Sequence, residues 1–478
     1  MTGELFINGK FEKQENGSYF EVENPSTEEI IGYASDASDA QVDYALESAS
    51  AAYTDWAMLS IMQREKYLKV LIELIQEDKE NLARLLTLEQ GKTYKDALCE
   101  VDDTIFYIRE ACDTAKRLKG DIYESVNQGE KASVENVPYG VCIALCAWNY
   151  PLALVGRKIG PALITGNTVI VKPHELTPLA TAEFFKLVEK ANFPKGVINL
   201  ITGKGIASGQ RLVESKHARL VSLTGSVGAG QAVYRSSANN IAKLILELGG
   251  KAPFIVLEDA DIEKAAEAVV LSRYSNCGQI CICADMVFVQ ESIAEKFTQA
   301  VLERVKRIKV GNPFDESTTM GAKLSKADLE KINGIVEKTV AQGGTLLYGG
   351  KRPDGAEFEK GYWYMPTVLT DVTMDMAAAQ EEIFGPVLPI IKIKDFNDAV
   401  KYTNSSEYGL AAYLFTQNYS TITAASRVLE VGTVFINTEV TAYFNVFHNG
   451  HKLSGIGGED GEYGVGEYLQ KRVTYAKY

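Results

Sequence analysis

Three of the chain's seven cysteines lie within seven residues of one another, in the run Ser275-Asn-Cys-Gly-Gln-Ile-Cys-Ile-Cys-Ala284. A cysteine attacks only as its thiolate, and a free thiol with a pKa of about 8.5 is only a few per cent ionised at neutral pH. Cys281 is the best candidate nucleophile in this run, but no histidine lies near it in sequence. Covalent catalysis here therefore requires a base and an oxyanion-stabilising group from elsewhere in the chain.

The cysteine run has two other interpretations. Cysteine is among the most buried residue types, and a Cys-x-Cys alternation suits one buried face of a strand or helix. Structural zinc prefers Cys-x2–4-Cys pairs that are joined by a second pair or by distant histidines. The other cysteines form no second close pair: Cys99, Cys112, Cys142 and Cys146. We therefore expect no metal site, while packing stays open as the role of Cys277 and Cys283.

Two polar side chains at the ends of apolar segments could supply the missing groups. Asn149 follows a strand-like segment and precedes Pro151, so its amide could donate to a developing oxyanion or could cap a turn. Glu247 ends an apolar segment just before Gly249 and Gly250. A carboxylate in such a strand is either paired or functional, because burying an unpaired charge is costly.

Two further segments suggest dinucleotide binding, although no Gly-x-Gly-x-x-Gly sequence follows a strand. Thr224-Gly-Ser-Val-Gly-Ala-Gly230 lies between a strand and a helix, where glycines allow phosphate to approach and Ser226 adds a hydroxyl. Such turns also occur without a ligand. In Lys172-Pro-His-Glu175, Glu175 could accept hydrogen bonds from ribose hydroxyls, or the segment could be a surface turn that includes His174.

Apolar strands alternate with helical segments, which predicts a parallel, doubly wound sheet. Its strands are predicted at 140–146, 168–172, 197–201, 220–223 and 243–247. A second α/β region runs from 248 to about 440, with helices at 261–272, 292–308 and 326–341 and a strand at 286–290. Residues 61–90 show helical periodicity. A projecting hairpin is predicted over 120–138 and a terminal strand over 471–478.

Composition excludes several classes of protein. The chain has 478 residues, enough for two or three domains, and its net charge of −14 argues against nucleic acid and anionic membranes as partners. The uncharged stretch 140–156 is shorter than the roughly 20 residues of a membrane span. The sparse, odd number of cysteines and an N-terminus without a signal-peptide pattern favour the cytoplasm.

Taken together, these segments resemble the NAD(P)-dependent aldehyde dehydrogenases over essentially the full chain. The residues responsible for the resemblance are Trp148-Asn-Tyr-Pro151, Gly166-Asn-Thr-Val-Ile-Val-Lys-Pro-His-Glu175, Thr224-Gly-Ser226, Glu247-Leu-Gly-Gly-Lys251, Gly278-Gln-Ile-Cys281, Glu381-Glu-Ile-Phe-Gly-Pro386 and Ser454-Gly-Ile-Gly457.

The resemblance implies an α/β fold of three domains and a homodimer or homotetramer. The domains are a Rossmann-type parallel-sheet cofactor domain (1–118, 139–247 and 441–459), an α/β catalytic domain (248–440) and a small β oligomerisation domain (119–138 and 460–478).

The resemblance also assigns the site. Cys281 is the nucleophile, Glu247 the general base, and Asn149 forms the oxyanion hole with the Cys281 backbone N–H. The cofactor is NAD, with NADP also allowed. Lys172 and Glu175 hold its adenine ribose, Gly225 and Ser226 its pyrophosphate, Glu382 its nicotinamide ribose, while Phe384 and Trp148 line the nicotinamide end. Gly228 departs from the family, which often has an acidic residue there.

The implied reaction joins Cys281 to an aldehyde as a thiohemiacetal, which loses hydride to become a thioester. Glu247 then activates the water that releases the acid. Retention of Glu247 argues against a CoA-acylating enzyme, and the intact set of Cys281, Glu247 and Asn149 argues against a non-catalytic scaffold.

For the substrate, residues 447–470 and the Arg157-Lys158 pair resemble the bacterial lactaldehyde and glycolaldehyde dehydrogenases. The implied substrate is a small 2-hydroxyaldehyde, whose hydroxyl would contact Arg157 and His448. Arg157 could instead form a helix ion pair, and His448 could be a loop histidine. The segment 438–445 departs from that branch. Succinic semialdehyde, whose distal carboxylate Arg157 could bind, or another small aliphatic aldehyde is the alternative.

Overall fold

Two large β-sheets and one small sheet contain most of the strands in the computed structural model, which describes residues 1–13, 17–439 and 443–478. The predicted domain boundary at 440/441 and the centre of the 438–445 segment lie outside the described residues. The helices are Asp39–Met58, Ile61–Glu77, Lys79–Gln90, Tyr94–Ala115, Pro151–Ile164, Leu179–Lys190, Gly205–Glu214, Val227–Ser236, Ile262–Tyr274, Ala294–Val305, Lys326–Ala341, Ala377–Gln380, Phe396–Ser405, Tyr419–Val428 and Gly461–Gly466.

The first sheet has eight strands. In spatial order they are Gly455–Ile456, Lys243–Glu247, Ala218–Thr224, Val141–Leu145, Thr168–Lys172, Ile198–Leu200, Leu5–Ile7 and Lys10–Glu12. The five that were predicted are mutually parallel. Alternate residues of Val141–Leu145 enter two different apolar clusters, one on each face of the sheet. Burial on both faces explains why these strands are continuously apolar in sequence.

The second sheet has seven strands. In spatial order they are Thr345–Tyr348, Thr367–Thr370, Val387–Ile393, Ala284–Gln290, Ala252–Val256, Ala411–Phe415 and Thr433–Ile436. All neighbouring pairs are parallel except the first. The chain passes from the first sheet to the second through residues 248–251. The two sheets and their helices confirm the predicted α/β class.

The third sheet contains Asp121–Glu124, Glu130–Pro138 and Leu469–Lys477, all antiparallel. Its first two strands form the predicted hairpin, and the C-terminal strand pairs along the whole of the second, from Leu469 opposite Pro138 to Lys477 opposite Glu130. Two smaller sheets contain Thr2–Gly3, Glu29–Ser35 and Tyr19–Asn24, and Tyr408–Gly409 with His451–Lys452.

Close packing of two helices fixes the segment that follows Asn149. Pro151–Ile164 lies against Tyr94–Ala115, and a Cβ at Gly156 would come within 2.8 Å of the Thr104 carbonyl oxygen. Only glycine allows this approach. Pro151 occupies the first helical turn, where its missing N–H has no partner to lose.

We therefore predict that Gly156→Ala is destabilising, because the added methyl group must push the two helices apart at a cost of about 1–3 kcal/mol. The midpoint of thermal unfolding, followed by circular dichroism, should fall. Gly334→Ala is the matched control: it lies in Lys326–Ala341 with open space around its Cβ position. There alanine should stabilise the helix by about 0.5–1 kcal/mol. Equal midpoints for the two variants would contradict the packing argument.

Candidate active site

A cleft of ≈ 470 Å³ opens at the carboxyl ends of the first sheet's parallel strands and extends to the second sheet. Strand register explains why distant motifs meet there, since Leu145 pairs with Lys172 and Thr224 with Glu247. The residues predicted for catalysis and for cofactor binding all line it: Trp148, Asn149, Lys172, Glu175, Gly225, Ser226, Glu247, Cys281, Glu382 and Phe384.

The Cys281 thiol lies beside the Glu247 carboxylate in this cleft, close enough for the carboxylate charge to act on it. Burial, together with the negative charge of Glu247, raises the pKa of the Cys281 thiol well above its ordinary value. The thiol is therefore protonated at neutral pH and lies beside a carboxylate that can accept its proton. The Glu247 side chain is only 4% exposed. Sequence placed these residues 34 positions apart; the fold places them in contact.

The backbone before Cys281 is unusual. Asn276, Cys277 and Gly278 are consecutive left-handed residues with φ of 46°, 56° and 71°. A Cβ at Gly278 would lie 2.3 Å from the Gly385 carbonyl oxygen, so this glycine is sterically required. The buried Arg273 guanidinium donates to the Gly278 carbonyl at 2.7 Å and fixes the turn. Strain of this kind accumulates at functional sites and persists only where the surroundings hold it.

Asn149 is held by a buried network. The side-chain Nδ2 of Asn149 donates to the Gln279 carbonyl at 3.0 Å. The backbone carbonyl of Asn149 accepts from Lys92 Nζ at 2.9 Å and from Asn276 Nδ2 at 3.0 Å. Lys92 Nζ also lies 2.6 Å from a Glu100 carboxylate oxygen, with both side chains fully buried. One amide hydrogen of Asn149 is left for another acceptor. Lys92 and Glu100 were missed from sequence, where a Lys in the loop before a helix and a Glu within that helix give no signal.

One end of the cleft offers groups for an adenosine and a pyrophosphate. Glu175 accepts from the Gly205 N–H at 3.3 Å, and Lys172 Nζ donates to the Gly203 carbonyl at 3.1 Å. Ser226 caps the N-terminus of the helix Val227–Ser236, whose dipole favours an anion. The buried hydroxyl of Thr224 has no hydrogen-bond partner. These features fit a dinucleotide, and Gly228, with open space around its Cβ position, does not obstruct one.

The other end of the cleft is aromatic and acidic. The Trp148 and Phe384 rings meet edge to face, with centroids 5.3 Å apart. Burial and the neighbouring Asp285 raise the pKa of Glu382 to about 7. Lys323, which the sequence did not single out, is fully buried behind the rings and donates to the Phe384 carbonyl at 2.6 Å. Burial lowers the pKa of Lys323 to about 8.

The two residues predicted to contact substrate are placed differently. His448 Nε2 lies 3.5 Å from Glu247 Oε1, next to the thiol–carboxylate pair. Arg157 is buried and forms ion pairs with Asp460 and Glu459. Neither His448 nor Arg157 is among the described residues that line the cleft; Arg157 instead lines a residual cavity of ≈ 10 Å³ with Tyr107, Phe444 and both acids. The helix ion pair, left open by sequence, is thus the arrangement observed for Arg157.

The remaining sequence interpretations concern cysteines, metals and membranes. All seven cysteines are free thiols, and Cys277 and Cys283 are buried. Across the part of the chain that the structure describes, no group of three or more His, Cys, Asp or Glu side chains could hold a metal ion. Within those same residues, no helix has the length and apolar character to cross a membrane.

The fold and cleft define a dinucleotide-dependent α/β enzyme with a half-buried thiol at its centre. A model of the aldehyde dehydrogenase family matches residues 11–474. The chain is 43% identical over 475 residues to the 3,6-anhydro-alpha-L-galactose dehydrogenase of Vibrio sp. (strain EJY3), with 99% of each chain covered. It is 39% identical over 475 residues to the D-glyceraldehyde dehydrogenase (NADP(+)) of Picrophilus torridus, covering 99% of this chain and 96% of the relative. To the lactaldehyde dehydrogenase of Escherichia coli K12 it is 38% identical over 472 residues, with 98% of each covered.

Solved structures of aldehyde dehydrogenases also have the same fold as this chain. A 3,6-anhydro-L-galactose dehydrogenase in complex with NAP superposes with a TM-score of 0.97 at 45% identity, covering 99% of this chain and 100% of that one. A point mutant of betaine aldehyde dehydrogenase from Staphylococcus aureus in complex with NAD+ gives 0.96 at 34% identity, covering 99% and 97%. The chain therefore belongs to the aldehyde dehydrogenase family. It is an NAD(P)-dependent oxidoreductase that acts on an aldehyde, and the fold, enzyme class and cofactor predicted from sequence are confirmed.

The thiol–carboxylate contact predicts a pH dependence for alkylation of Cys281. Because burial and Glu247 raise the pKa of Cys281, iodoacetamide should label it slowly at pH 7, without added dinucleotide, and faster by about tenfold per pH unit below that pKa. Glu247→Gln removes one cause of the shift, so labelling at any given pH should be faster than in the wild type. Mass spectrometry of the peptide containing Cys281 measures the rate, with exposed Cys99 as internal reference. Identical Cys281 rates in both proteins would contradict the contact.

Proposed function

We propose that this enzyme oxidises a small 2-hydroxyaldehyde, of lactaldehyde or glycolaldehyde type, to its carboxylic acid through a covalent adduct of Cys281. The observation that supports the chemistry is the position of the Cys281 thiol beside the Glu247 carboxylate, inside a cleft shaped for a dinucleotide. A protonated thiol has little use in packing beside a carboxylate, whereas a nucleophile needs a nearby base.

In the proposed reaction, Glu247 receives the thiol proton as Cys281 adds to the aldehyde carbon. Asn149 Nδ2 and the Cys281 backbone N–H hold the resulting oxyanion, and the network of Lys92, Asn276 and Gln279 keeps the Asn149 amide in place. Bound NAD(P)+ supplies the acceptor for the hydride that the thiohemiacetal carbon loses. Glu247 passes the thiol proton to solvent and then takes a proton from water, whose oxygen attacks the thioester and releases the acid. The departing Cys281 thiolate recovers its proton from Glu247.

For the cofactor we propose the contacts assigned from sequence, with Lys172 and Glu175 at the adenine ribose and Glu382 at the nicotinamide ribose. Gly225 and Ser226 would bind the pyrophosphate at the start of Val227–Ser236. A carboxylate at Glu175 accepts from two ribose hydroxyls and repels a 2′-phosphate, so it favours NAD over NADP. The name of the Picrophilus relative, an NADP-dependent enzyme, is the reason that NADP stays allowed.

The substrate proposal rests on His448, on the state of Arg157 and on the relatives. His448 is within 3.5 Å of Glu247, where its imidazole can contact a hydroxyl on the carbon next to the aldehyde. The Arg157 guanidinium is already paired with two carboxylates of the protein, which occupy the positions that the distal carboxylate of succinic semialdehyde would need. The Escherichia coli and Picrophilus relatives are named for lactaldehyde and glyceraldehyde, both of which are 2-hydroxyaldehydes.

We further propose the three-domain division given above, with the third sheet as the oligomerisation element of a homodimer or homotetramer. Tyr123, Val473 and Tyr475 share one face of this sheet and are each more than half exposed, which is an apolar surface that a partner would cover. Seven free thiols fit a reducing compartment and hence the proposed cytoplasmic location.

Two variants test the covalent chemistry. Cys281→Ala should abolish NADH production while leaving NAD binding, followed by quenching of protein fluorescence, within about twofold of wild type, because the thiol forms the adduct. Glu247→Gln should release about one NADH per active site in a slowed burst and then stall, because the thiol loses its base and water is no longer activated, so that the thioester accumulates. Turnover in Cys281→Ala, or unslowed steady turnover in Glu247→Gln, would remove that residue from its role.

A comparison of substrates tests the specificity. We expect kcat/KM for lactaldehyde and glycolaldehyde to exceed that for propanal by about tenfold or more, because a pocket that bonds a hydroxyl penalises an aldehyde that lacks one. His448→Phe should remove that difference by lowering the lactaldehyde value and sparing propanal. A wild-type preference for propanal or succinic semialdehyde over lactaldehyde would refute the proposed substrate class.

A further inference from the structure

Asp460 has a backbone conformation that is essentially reserved for glycine, with φ of 65° and ψ of 159°. It directly precedes the helix Gly461–Gly466, yet its side chain forms no capping hydrogen bond to that helix. A residue with a Cβ persists in such a conformation only where other contacts hold it. The partner of the Asp460 carboxylate therefore shows which contact holds this backbone in place.

The carboxylate is bound to Arg157. Arg157 Nε donates to Asp460 Oδ1 at 2.9 Å and Nη2 donates to Oδ2, which is the two-pronged geometry that makes such pairs strong. The third guanidinium nitrogen, Nη1, lies 3.2 Å from Glu459 Oε2. Arg157 is 8% exposed, so water does not compete for these contacts. Every nitrogen of the guanidinium thus faces a carboxylate oxygen of the protein itself.

The pair lies close to the reacting groups. Arg157 is in the second turn of the helix that follows Asn149, and its positive charge reaches Cys281, where it opposes the rise in thiol pKa. His448, which contacts Glu247, also exchanges both backbone hydrogen bonds with Glu459, each at 2.8 Å. The acidic pair Glu459 and Asp460 is therefore joined through His448 to the catalytic carboxylate.

The buried charges around the ion pair of Arg157 and Asp460 balance one another. Lys158 Nζ lies 2.7 Å from Glu459 Oε1 and 2.9 Å from Ser222 Oγ. Burial alone would raise the pKa of Glu459, but Lys158 and Arg157 hold it at about 2. Two cations, Arg157 and Lys158, thus face two carboxylates, Glu459 and Asp460. Without Asp460, one buried positive charge would be uncompensated beside the active site.

We propose that Asp460 is a specificity-determining residue: it occupies the face of Arg157 that the distal carboxylate of an aldehyde acid would otherwise bind, and so excludes such substrates. This inference rests on the proposed function, because it explains how the site prefers a neutral hydroxyaldehyde. Guanidinium binds carboxylates by the same two-pronged contact that Asp460 makes, so substrate and Asp460 compete for one position.

The test is Asp460→Gly, because glycine suits the backbone conformation at this position and removes the carboxylate. We expect the ratio of kcat/KM for succinic semialdehyde to that for lactaldehyde to rise by at least about tenfold, mostly through a lower KM for succinic semialdehyde, since a freed guanidinium gains a carboxylate partner. Asp460→Asn, which keeps the side-chain shape without the charge, should change the ratio in the same direction. It also serves as the second variant if Asp460→Gly does not fold, as judged by thermal unfolding.

Two controls isolate the ion pair. The double variant Arg157→Met with Asp460→Gly should lose the gain, because the cation that would bind the new substrate is absent. Asp371→Gly is matched in backbone, since Asp371 also has a positive φ of 54°, but it is exposed and paired with Lys392. It should leave the ratio unchanged.

The outcomes separate this inference from the proposed function. A ratio that is unchanged in a folded Asp460→Gly variant, or a gain that survives in the double variant, would overturn the role of Asp460. The ratio of kcat/KM for succinic semialdehyde to that for lactaldehyde in the wild-type enzyme tests the proposed substrate class independently of the variants.

Discussion

The close approach of residues 248–251 to the cysteine loop is the constraint on which the active site depends. This segment links the two large sheets, and a Cβ at Gly250 would lie 2.9 Å from the Cys281 carbonyl oxygen, while one at Gly249 would lie 2.6 Å from Glu382 Oε2. Ser454 holds the segment by donating from its hydroxyl to the Gly249 carbonyl at 2.8 Å. Glycines here let a strand end of one sheet bring Glu247 into contact with a thiol that belongs to the other.

Buried ion pairs fix the loops around that contact. Lys92 with Glu100 holds Asn149, and Arg273 with Asp285 holds the turn before Cys281. Each pair is almost fully removed from water, so the loss of one partner leaves an unpaired buried charge at a cost of about 3–5 kcal/mol. Such pairs add little net stability, but they restrict each loop to one arrangement, which a catalytic site requires.

The thiol itself illustrates a compromise between burial and reactivity. A desolvated cysteine beside a carboxylate has a raised pKa and is protonated at rest, which protects it from adventitious alkylation and oxidation. In the proposed mechanism, the same carboxylate takes the thiol proton when an aldehyde arrives. Reactivity would then be produced at the moment of attack rather than by a standing thiolate. The positive charge of Arg157, which is buried and ion-paired, partly offsets this rise in the pKa of Cys281.

Much of this molecule is evident in its sequence because local patterns determine local structure. Continuous apolar runs gave the five parallel strands, a polar turn at 127–129 gave the hairpin, and Lys326–Ala341 has the bounds that its periodicity predicts. The residues Asn149, Glu247 and Cys281 were also found from sequence, since each lies in a segment typical of the family and at the end of an element whose position could be inferred.

The tertiary structure alone decided which charges meet. Sequence offered Arg157 as a substrate ligand or as a helix ion pair, and only the fold brings Asp460, 303 positions away, onto its guanidinium. Lys92, Glu100 and Lys323 are similarly invisible in sequence, because burial and partners depend on helices and loops that pack from distant parts of the chain. Local hydrophobic pattern therefore determined the sheets, and the family motifs indicated the residues proposed to react, whereas long-range packing of charges determined what surrounds them.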